Sequence, residues 1–272
     1  NMKILGIGNA IVDVICKVDD HYLLENELTK GTMKLVDESE FKKLLSTLKI
    51  EGTVSGGSVA NSIVGLSQLG NDVGFIGKIN TDKLGQKYEE GLVQEKVKYF
   101  YNKNYKKNEQ LDSLLCAKEW FADDLLITFS DIIYDISIIK KMIKSNHDFT
   151  IAIQKNWKKK YKKRFDHPTD QADKVLIRNN RIIDIGKKLP LSKTNGEFLG
   201  IIKINKKICN IFINHYKILK KTRKTEKLQI HHFLRYLLKK NINIKPTYVN
   251  GKYMEIDTFN DFKIAKEIFN EK

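Results

Sequence analysis

The sequence is poor in cysteine and proline, and it contains no long apolar run. Its three cysteines, Cys16, Cys116 and Cys209, are odd in number and widely spaced, which argues against a disulfide framework and against a cysteine-rich zinc site. No apolar stretch approaches the ~20 residues that a membrane-spanning helix needs, and the first residues do not resemble a signal peptide. We therefore expect a cytoplasmic protein with no membrane partner.

Arginine is absent from the first 101 residues, and the composition changes at about that point. Residues 1–101 carry a net charge of −2, whereas the remaining 171 residues carry +18, which gives the chain its total of +16. Twelve of the 16 glycines precede residue 101, and all three prolines follow it. We interpret the chain as two segments, 1–101 and 102–272, with different histories. The composition leaves open whether they share one sheet.

Short apolar runs alternate with segments of helical periodicity along most of the chain. Buried strands are predicted at 3–8, 73–76, 125–129, 149–153 and 198–204. Amphipathic helices are predicted at 39–48, 59–69, 111–121 and 136–143. Asn179-Asn180, between apolar runs at 175–177 and 181–185, predicts a hairpin turn. This alternation with short links predicts an α/β fold of three layers around a mostly parallel, doubly wound sheet, built as a composite of two partial α/β domains.

A glycine pair, Gly56-Gly57, precedes the helix at 59–69. Glycines at a strand-to-helix junction let backbone N–H groups approach a ligand at the positive end of the helix, although an ordinary packing turn has the same pattern. Asn9 and Asp13 are polar residues within the first apolar run. They are either exposed turn residues or side chains that face the hydroxyls of a ligand.

Three motifs in the first segment resemble the PfkB carbohydrate-kinase family, particularly its adenosine-kinase and ribokinase members. They are residues 6–13 (GIGNAIVD), 56–61 (GGSVAN) and 76–85 (IGKINTDKLG), and they occur in the family's order. The resemblance implies that one set of residues contacts a sugar or nucleoside: Asn9, Asp13, Gly56, Gly57 and Asn61. The family's second signature, Asp-Thr-x-Gly-Ala-Gly-Asp, carries its catalytic base and is missing here, so no residue is assigned as the kinase base.

Acidic residues in the second segment stand beside predicted strands. Asp131 follows the strand at 125–129, where parallel sheets bind ligands, and capping of the next helix is the alternative. Lys155–Arg164 has seven basic residues in ten, interleaved with two aromatic residues. We interpret this stretch as a solvated helix face rather than as a nucleic-acid patch, so a nucleic-acid partner is not expected. His231 and His232 are adjacent in a helix and make a poor metal pair.

Residues from about 104 to 272 resemble the later part of nucleotidyltransferases, with cytidylyltransferases acting on choline phosphate, aminoalkylphosphonates or sugar phosphates as the nearest type. The stretches 126–131, 197–200 and 249–262 carry this resemblance. It implies that Asp131 and Asp257 hold Mg²⁺ and that Lys187 and Glu197 lie near the acceptor. The donor would be a nucleoside triphosphate, ATP or CTP. The family's Gly-x-Gly-x-Arg loop does not occur before Asp131.

Three functions remain open from the sequence. The first is a kinase-like segment that binds a sugar or nucleoside, and the second is a Mg²⁺-dependent nucleotidyltransferase that acts on a small phosphorylated acceptor. The third is a binding module or fused reading frame without activity, because both halves lack part of their family's catalytic motifs. Each half also lacks strands of its family, and we therefore expect low stability or self-association through an uncovered sheet edge.

Overall fold

The computed structural model of this protein describes residues 3–8, 10–30, 36–77, 79–104, 107, 109–129, 131–165, 168–222 and 228–270. Its strands are β1 (Lys3–Ile7), β2 (Ile11–Cys16), β3 (Ile50–Gly56), β4 (Val73–Ile76), β5 (Lys98–Phe100), β6 (Leu125–Thr128), β7 (Ile132–Tyr134), β8 (Phe149–Gln154), β9 (Lys174–Arg178), β10 (Arg181–Ile185), β11 (Gly196–Ile204), β12 (Lys245–Tyr248) and β13 (Tyr253–Glu255). Its helices are α1 (Asp20–Glu25), α2 (Glu38–Thr47), α3 (Ser58–Gln68), α4 (Lys83–Gln94), α5 (Gln110–Cys116), α6 (Ile136–Lys144), α7 (Lys158–Tyr161), α8 (Lys206–Lys221), α9 (Ile230–Lys239) and α10 (Phe259–Asn270).

One sheet runs through both sequence segments. Within the described residues it has nine strands in the order β10-β9-β11-β6-β1-β4-β5, with β8 paired to β11 and β12 paired to β8. Strand β1 pairs in parallel with β4 on one side and with β6 on the other. Because β6 lies beyond residue 101 and the other two strands lie before it, the two segments share this sheet. The predicted α/β class with a largely parallel central sheet is confirmed.

Strand β11 is the antiparallel member at the centre of the second segment. It pairs antiparallel with β6, β8 and β9, and all nine of its residues are buried. Its register against β8 shifts between Phe198 and Ile202, where Gly200 has a φ of +72°. A Cβ on Gly200 would lie 2.8 Å from the Phe129 ring. This bulge therefore makes room for Phe129, two residues before Asp131.

The largest apolar cluster also joins the two segments. It unites the side chains of Leu5 and Ile76 with Ile127, Ile151 and Phe212, all of which are fully or almost fully buried. A second cluster belongs to the first segment alone and packs α3 and α4 on the sheet through Val59, Ile63, Phe75, Tyr88 and Leu92. Burial of this kind is the main favourable contribution to folding.

Most local predictions match the structure within a few residues, and two do not. Asn179 and Asn180 both have positive φ, 47° and 54°, in the tight turn between β9 and β10, as a two-residue hairpin requires. The helix α1, capped by Asp19, was not predicted, and the solvated-face interpretation of Lys155–Arg164 is wrong for the side of this stretch that carries Trp157, Lys160, Tyr161 and Arg164. No helix among the described residues is long and apolar enough to cross a membrane.

Candidate functional site

Three carboxylates meet just beyond the end of β6. Strands β7 and β13 pair antiparallel, with Glu255 opposite Ile132, and the backbone N–H of Ile256 donates to the carbonyl oxygen of Asp131 at 2.7 Å. This pairing brings Asp131 beside Glu255 and Asp257, and one carboxylate oxygen from each lies within 4.8 Å of the others. In the part of the chain that the structure describes, this is the one group of three such side chains able to hold a metal ion.

The electrostatics of this cluster favour a cation. Burial, followed by the negative charges of Asp257 and Asp131, raises the pKa of Glu255 to about 8. Loss of water around its carboxylate also raises the pKa of Asp131, and the positive charge of Lys187 acts in the opposite direction. Ionised carboxylates this close to one another repel, since water screens charge less well at a partly buried site. A bound cation would relieve this repulsion.

A buried arginine lies against two of the three carboxylates. The Arg164 side chain is fully buried, and its Nε donates to Asp261 Oδ1 at 2.6 Å. Its Nη2 donates to the carbonyl oxygen of Glu255 at 3.2 Å. Its guanidinium also lies 3.7 Å from Glu255 Oε2 and 3.9 Å from Asp257 Oδ2. Arg164 is therefore an interior residue and not part of a solvated face.

The predicted acceptor residues have different surroundings. Glu197 is buried, with its carboxylate 2.5 Å from both the Tyr161 hydroxyl and Lys160 Nζ. Lys160 Nζ also lies 4.5 Å from the centre of the Tyr253 ring. Its side chain is only 11% exposed, so the solvated-face interpretation fails here as well. Lys187 is half-buried.

A cavity of about 800 Å³ opens at the C-terminal ends of the parallel strands. Asp131 and Phe129 line it on one side, and residues of the first segment line the other side. That second set includes residues of the predicted 76–85 motif: Ile76, Gly77, Ile79, Asn80, Thr81 and Gly85. Ligand cavities in proteins are typically about 300–1,000 Å³. Both segments thus contribute to one cavity of ligand size.

The sugar-binding residues predicted in the first segment form a separate local group. Strands β2 and β3 make their own antiparallel pair, apart from the main sheet. A Cβ on Gly56 would lie 2.4 Å from Asp13 Oδ2, so the carboxylate sits directly against that glycine. Gly57 has a φ of 104° and precedes α3, and Asn61 is exposed in the first turn of that helix. Asn9 lies outside the described residues.

Sequence reasoning missed Glu255, Lys160, Tyr161 and Arg164. A signal for Glu255 was present, because side chains two apart in a strand share a face and Asp257 follows at that spacing. Trp157, Lys160, Tyr161 and Arg164 recur at helical spacing, which marks one buried face. The density of surrounding lysines concealed this pattern.

Comparisons with known proteins give two distinct likenesses. The model of the pfkB family of carbohydrate kinases matches residues 3–115. A 5-dehydro-2-deoxygluconokinase of Clostridium perfringens is 33% identical over 95 residues, but the match covers 35% of this chain and only 24% of the kinase. The kinase-like likeness is thus confined to the first part of the chain.

The second likeness covers most of the chain. A CTP:phosphoglutamine cytidylyltransferase of Campylobacter jejuni is 26% identical over 253 residues, which cover 88% of this chain and 93% of that protein. The inositol-1-phosphate CTP transferase of T. maritima shares the fold, with a TM-score of 0.58 at 18% identity over 98% of this chain and 94% of that one. The chain is thus similar to a cytidylyltransferase over most of its length and to PfkB kinases in its first segment. The predicted two-part resemblance is confirmed.

Proposed function

We propose that this protein is a Mg²⁺-dependent nucleotidyltransferase that joins a nucleoside monophosphate, from a triphosphate donor, to a small phosphorylated acceptor. The cluster of Asp131, Glu255 and Asp257 carries the proposal. Carboxylate oxygens are the protein ligands that Mg²⁺ prefers, and these three lie within 4.8 Å of one another. The match to a cytidylyltransferase over nearly its whole length supports CTP as the donor.

The reaction is a substitution at phosphorus. An oxygen of the acceptor's phosphate attacks the α-phosphorus of the triphosphate, the bond to the β-phosphate breaks, and pyrophosphate leaves with the electron pair. Mg²⁺ held by the three carboxylates would supply charge neutralisation for the triphosphate. The cavity beside Asp131 would accommodate the donor, and the half-buried Lys187 has the charge to attract an acceptor phosphate. Asn80 and Thr81 at its rim offer polar groups to the nucleoside.

Pyrophosphate release tests this function. We expect the wild-type chain to release pyrophosphate from CTP only with Mg²⁺ and a phosphorylated acceptor, and the acceptor panel should include phosphoglutamine and inositol 1-phosphate. Asp257→Asn should lower the rate at least ~100-fold, since metal-based charge stabilisation is worth several kcal/mol. Asp135→Asn is the matched control, because Asp135 caps α6 by accepting from the Ser137 N–H and lies outside the cluster. Equal rates in the two variants would refute the proposal.

A second candidate function rests on the contact between Asp13 and Gly56. A carboxylate beside a glycine at the start of a helix can accept hydrogen bonds from sugar hydroxyls, and residues 3–115 match the PfkB model. This candidate is binding of a sugar or nucleoside, without an assigned base for phosphoryl transfer. Calorimetry with adenosine and ribose tests it: Asp13→Ala should abolish binding, and the exposed Asp20→Ala should leave it unchanged. Lack of binding by the wild-type chain would eliminate this candidate.

A further inference from the structure

Arg164 connects to the carboxylate cluster through the first turn of α10. Asp261 lies in that turn, and its two carboxylate oxygens have different partners. Oδ1 accepts from Arg164 Nε at 2.6 Å, whereas Oδ2 accepts from the backbone N–H groups of Asp257 at 3.2 Å and Thr258 at 3.1 Å. The Asp261 N–H in turn donates to Thr258 Oγ1 at 3.1 Å, which completes a reciprocal capping box. Asp261 therefore fixes the backbone that carries Asp257.

Arg164 also acts directly on the two carboxylates of the β13 end. Its Nη2 donates to the Glu255 carbonyl oxygen, and its guanidinium faces the carboxylates of Glu255 and Asp257 at 3.7 and 3.9 Å. Its Nη1 is buried and makes no hydrogen bond within the described residues. Its nearest acidic neighbour is Glu255 Oε2, at 3.7 Å, which is an ion-pair distance. Arg164 thus contacts Glu255 and Asp257 directly, and it also contacts Asp261, whose carboxylate accepts from the Asp257 N–H.

On the basis of these contacts we infer that Arg164 is a positioning residue for the metal site. This inference rests on the proposed function and deepens it. Arg164 and Asp261 form a fully buried pair, 97 residues apart in sequence, that holds Glu255 and Asp257 in the geometry a divalent cation requires. Partners of this kind typically change metal affinity 10–100-fold when they are removed.

A purely electrostatic effect of Arg164 predicts the opposite change in metal affinity. If Arg164 only opposed the cation's charge, its removal would tighten metal binding. If it positions the carboxylates, its removal weakens binding even though a positive charge is lost. Replacement by lysine separates the two contributions, since lysine keeps the charge but lacks the planar fork of donors.

Mn²⁺ titration followed by electron paramagnetic resonance provides the test. Arg164→Met should weaken Mn²⁺ binding about 10–100-fold, and Arg164→Lys should weaken it about tenfold. Arg235→Met is the matched control, because Arg235 forms its ion pair with Asp184 and not with the carboxylate cluster. The Mn²⁺ affinity of this variant should equal that of the wild type. Thermal unfolding in EDTA establishes that each variant is folded. Should Arg164→Met fail to fold, the double variant Arg164→Met/Asp261→Asn removes both charges of the buried pair, and its Mn²⁺ affinity is compared with that of the wild type in the same way.

The outcomes separate this inference from the proposed function. Unchanged or tighter Mn²⁺ binding in a folded Arg164→Met protein would overturn the positioning role while the metal site itself stands. Absence of Mn²⁺ binding by the wild-type chain would overturn both. Weaker binding in both Arg164 variants, with Arg235→Met unchanged, supports the inference.

Discussion

At the residue scale, the site brings three carboxyl groups and one buried positive charge together. Asp131, Glu255 and Asp257 lie together, and one positive side chain, Arg164, is fully buried against two of them. Like charges at this distance raise the free energy of the folded state. Such arrangements are typical of functional sites.

Histidine protonation should affect stability at mildly acidic pH. Burial and the nearby charge of Lys240 lower the pKa of His215 below its usual 6.5, and its Nδ1 lies 3.3 Å from the Tyr236 hydroxyl. The unfolded chain therefore binds the proton more readily than the folded chain does. Stability from this group is complete above pH 6.5 and decreases as the pH falls below that value.

Urea unfolding at pH 7.5 and pH 5.5 checks this prediction. We expect the wild-type chain to lose more stability between the two pH values than His215→Gln does. His21→Gln, which changes an exposed histidine of α1, is the control and should behave as the wild type. An equal pH dependence in His215→Gln and the wild type would contradict the prediction.

At the element scale, the bulge in β11 shapes the strand end from which Asp131 projects. Gly200 has a positive φ, and its carbonyl oxygen accepts from the Phe129 N–H at 2.9 Å. Gly200→Ala should destabilise the fold by roughly 1–3 kcal/mol, because the backbone is strained for any other residue and the new Cβ would meet the Phe129 ring.

The matched control for this substitution lies in a helix. Gly65 is in the interior of α3, and a Cβ there would meet no atom within 4 Å. Gly65→Ala should therefore stabilise the protein by roughly 0.5–1 kcal/mol. Denaturant unfolding measures both changes. The same sign for the two variants would show that the bulge imposes no strain.

Elements with a clear period could be predicted from the sequence, whereas contacts between distant residues could not. The Val73–Ile76 strand and the Asn179-Asn180 turn have local signals that tertiary packing does not override. Asp131 and Asp257 were predicted as metal ligands from the family resemblance, and the structure brings their carboxylates together. The roles of Arg164 and Lys160 depend on partners 97 and 37 residues away. No local pattern encodes such a pair, and exposed lysines around them imitate a solvated face.

At the scale of the whole molecule, the change in composition near residue 101 does not correspond to a break in the sheet. Strand β1 lies between β4 and β6, and the largest apolar cluster draws on both segments. Loss of β1 would therefore remove the parallel partner of β6. Shared burial of this kind predicts that the two segments unfold together.

The two tryptophans allow this cooperativity to be measured. Trp120 packs against Phe100 at the first segment's edge of the sheet, and Trp157 packs against Tyr161 in the second segment. In Trp157→Phe, the fluorescence change on unfolding comes from Trp120. In Trp120→Phe, it comes from Trp157. Far-ultraviolet circular dichroism is recorded on the same variants, so that any change in a variant's stability affects both signals equally. In each variant, the tryptophan fluorescence transition should coincide with the loss of helix. A fluorescence transition separate from the loss of helix would instead indicate two independent units.

Calorimetry of CTP binding, with and without Mg²⁺, tests the proposed metal site. We predict that the wild-type chain binds CTP in Mg²⁺ and that EDTA abolishes this binding. Asp257→Asn should weaken it at least ~10-fold, whereas Asp135→Asn should not. Binding that persists unchanged in EDTA, or that is equal in Asp257→Asn and the wild type, would contradict the assignment of Asp131, Glu255 and Asp257 as the metal site.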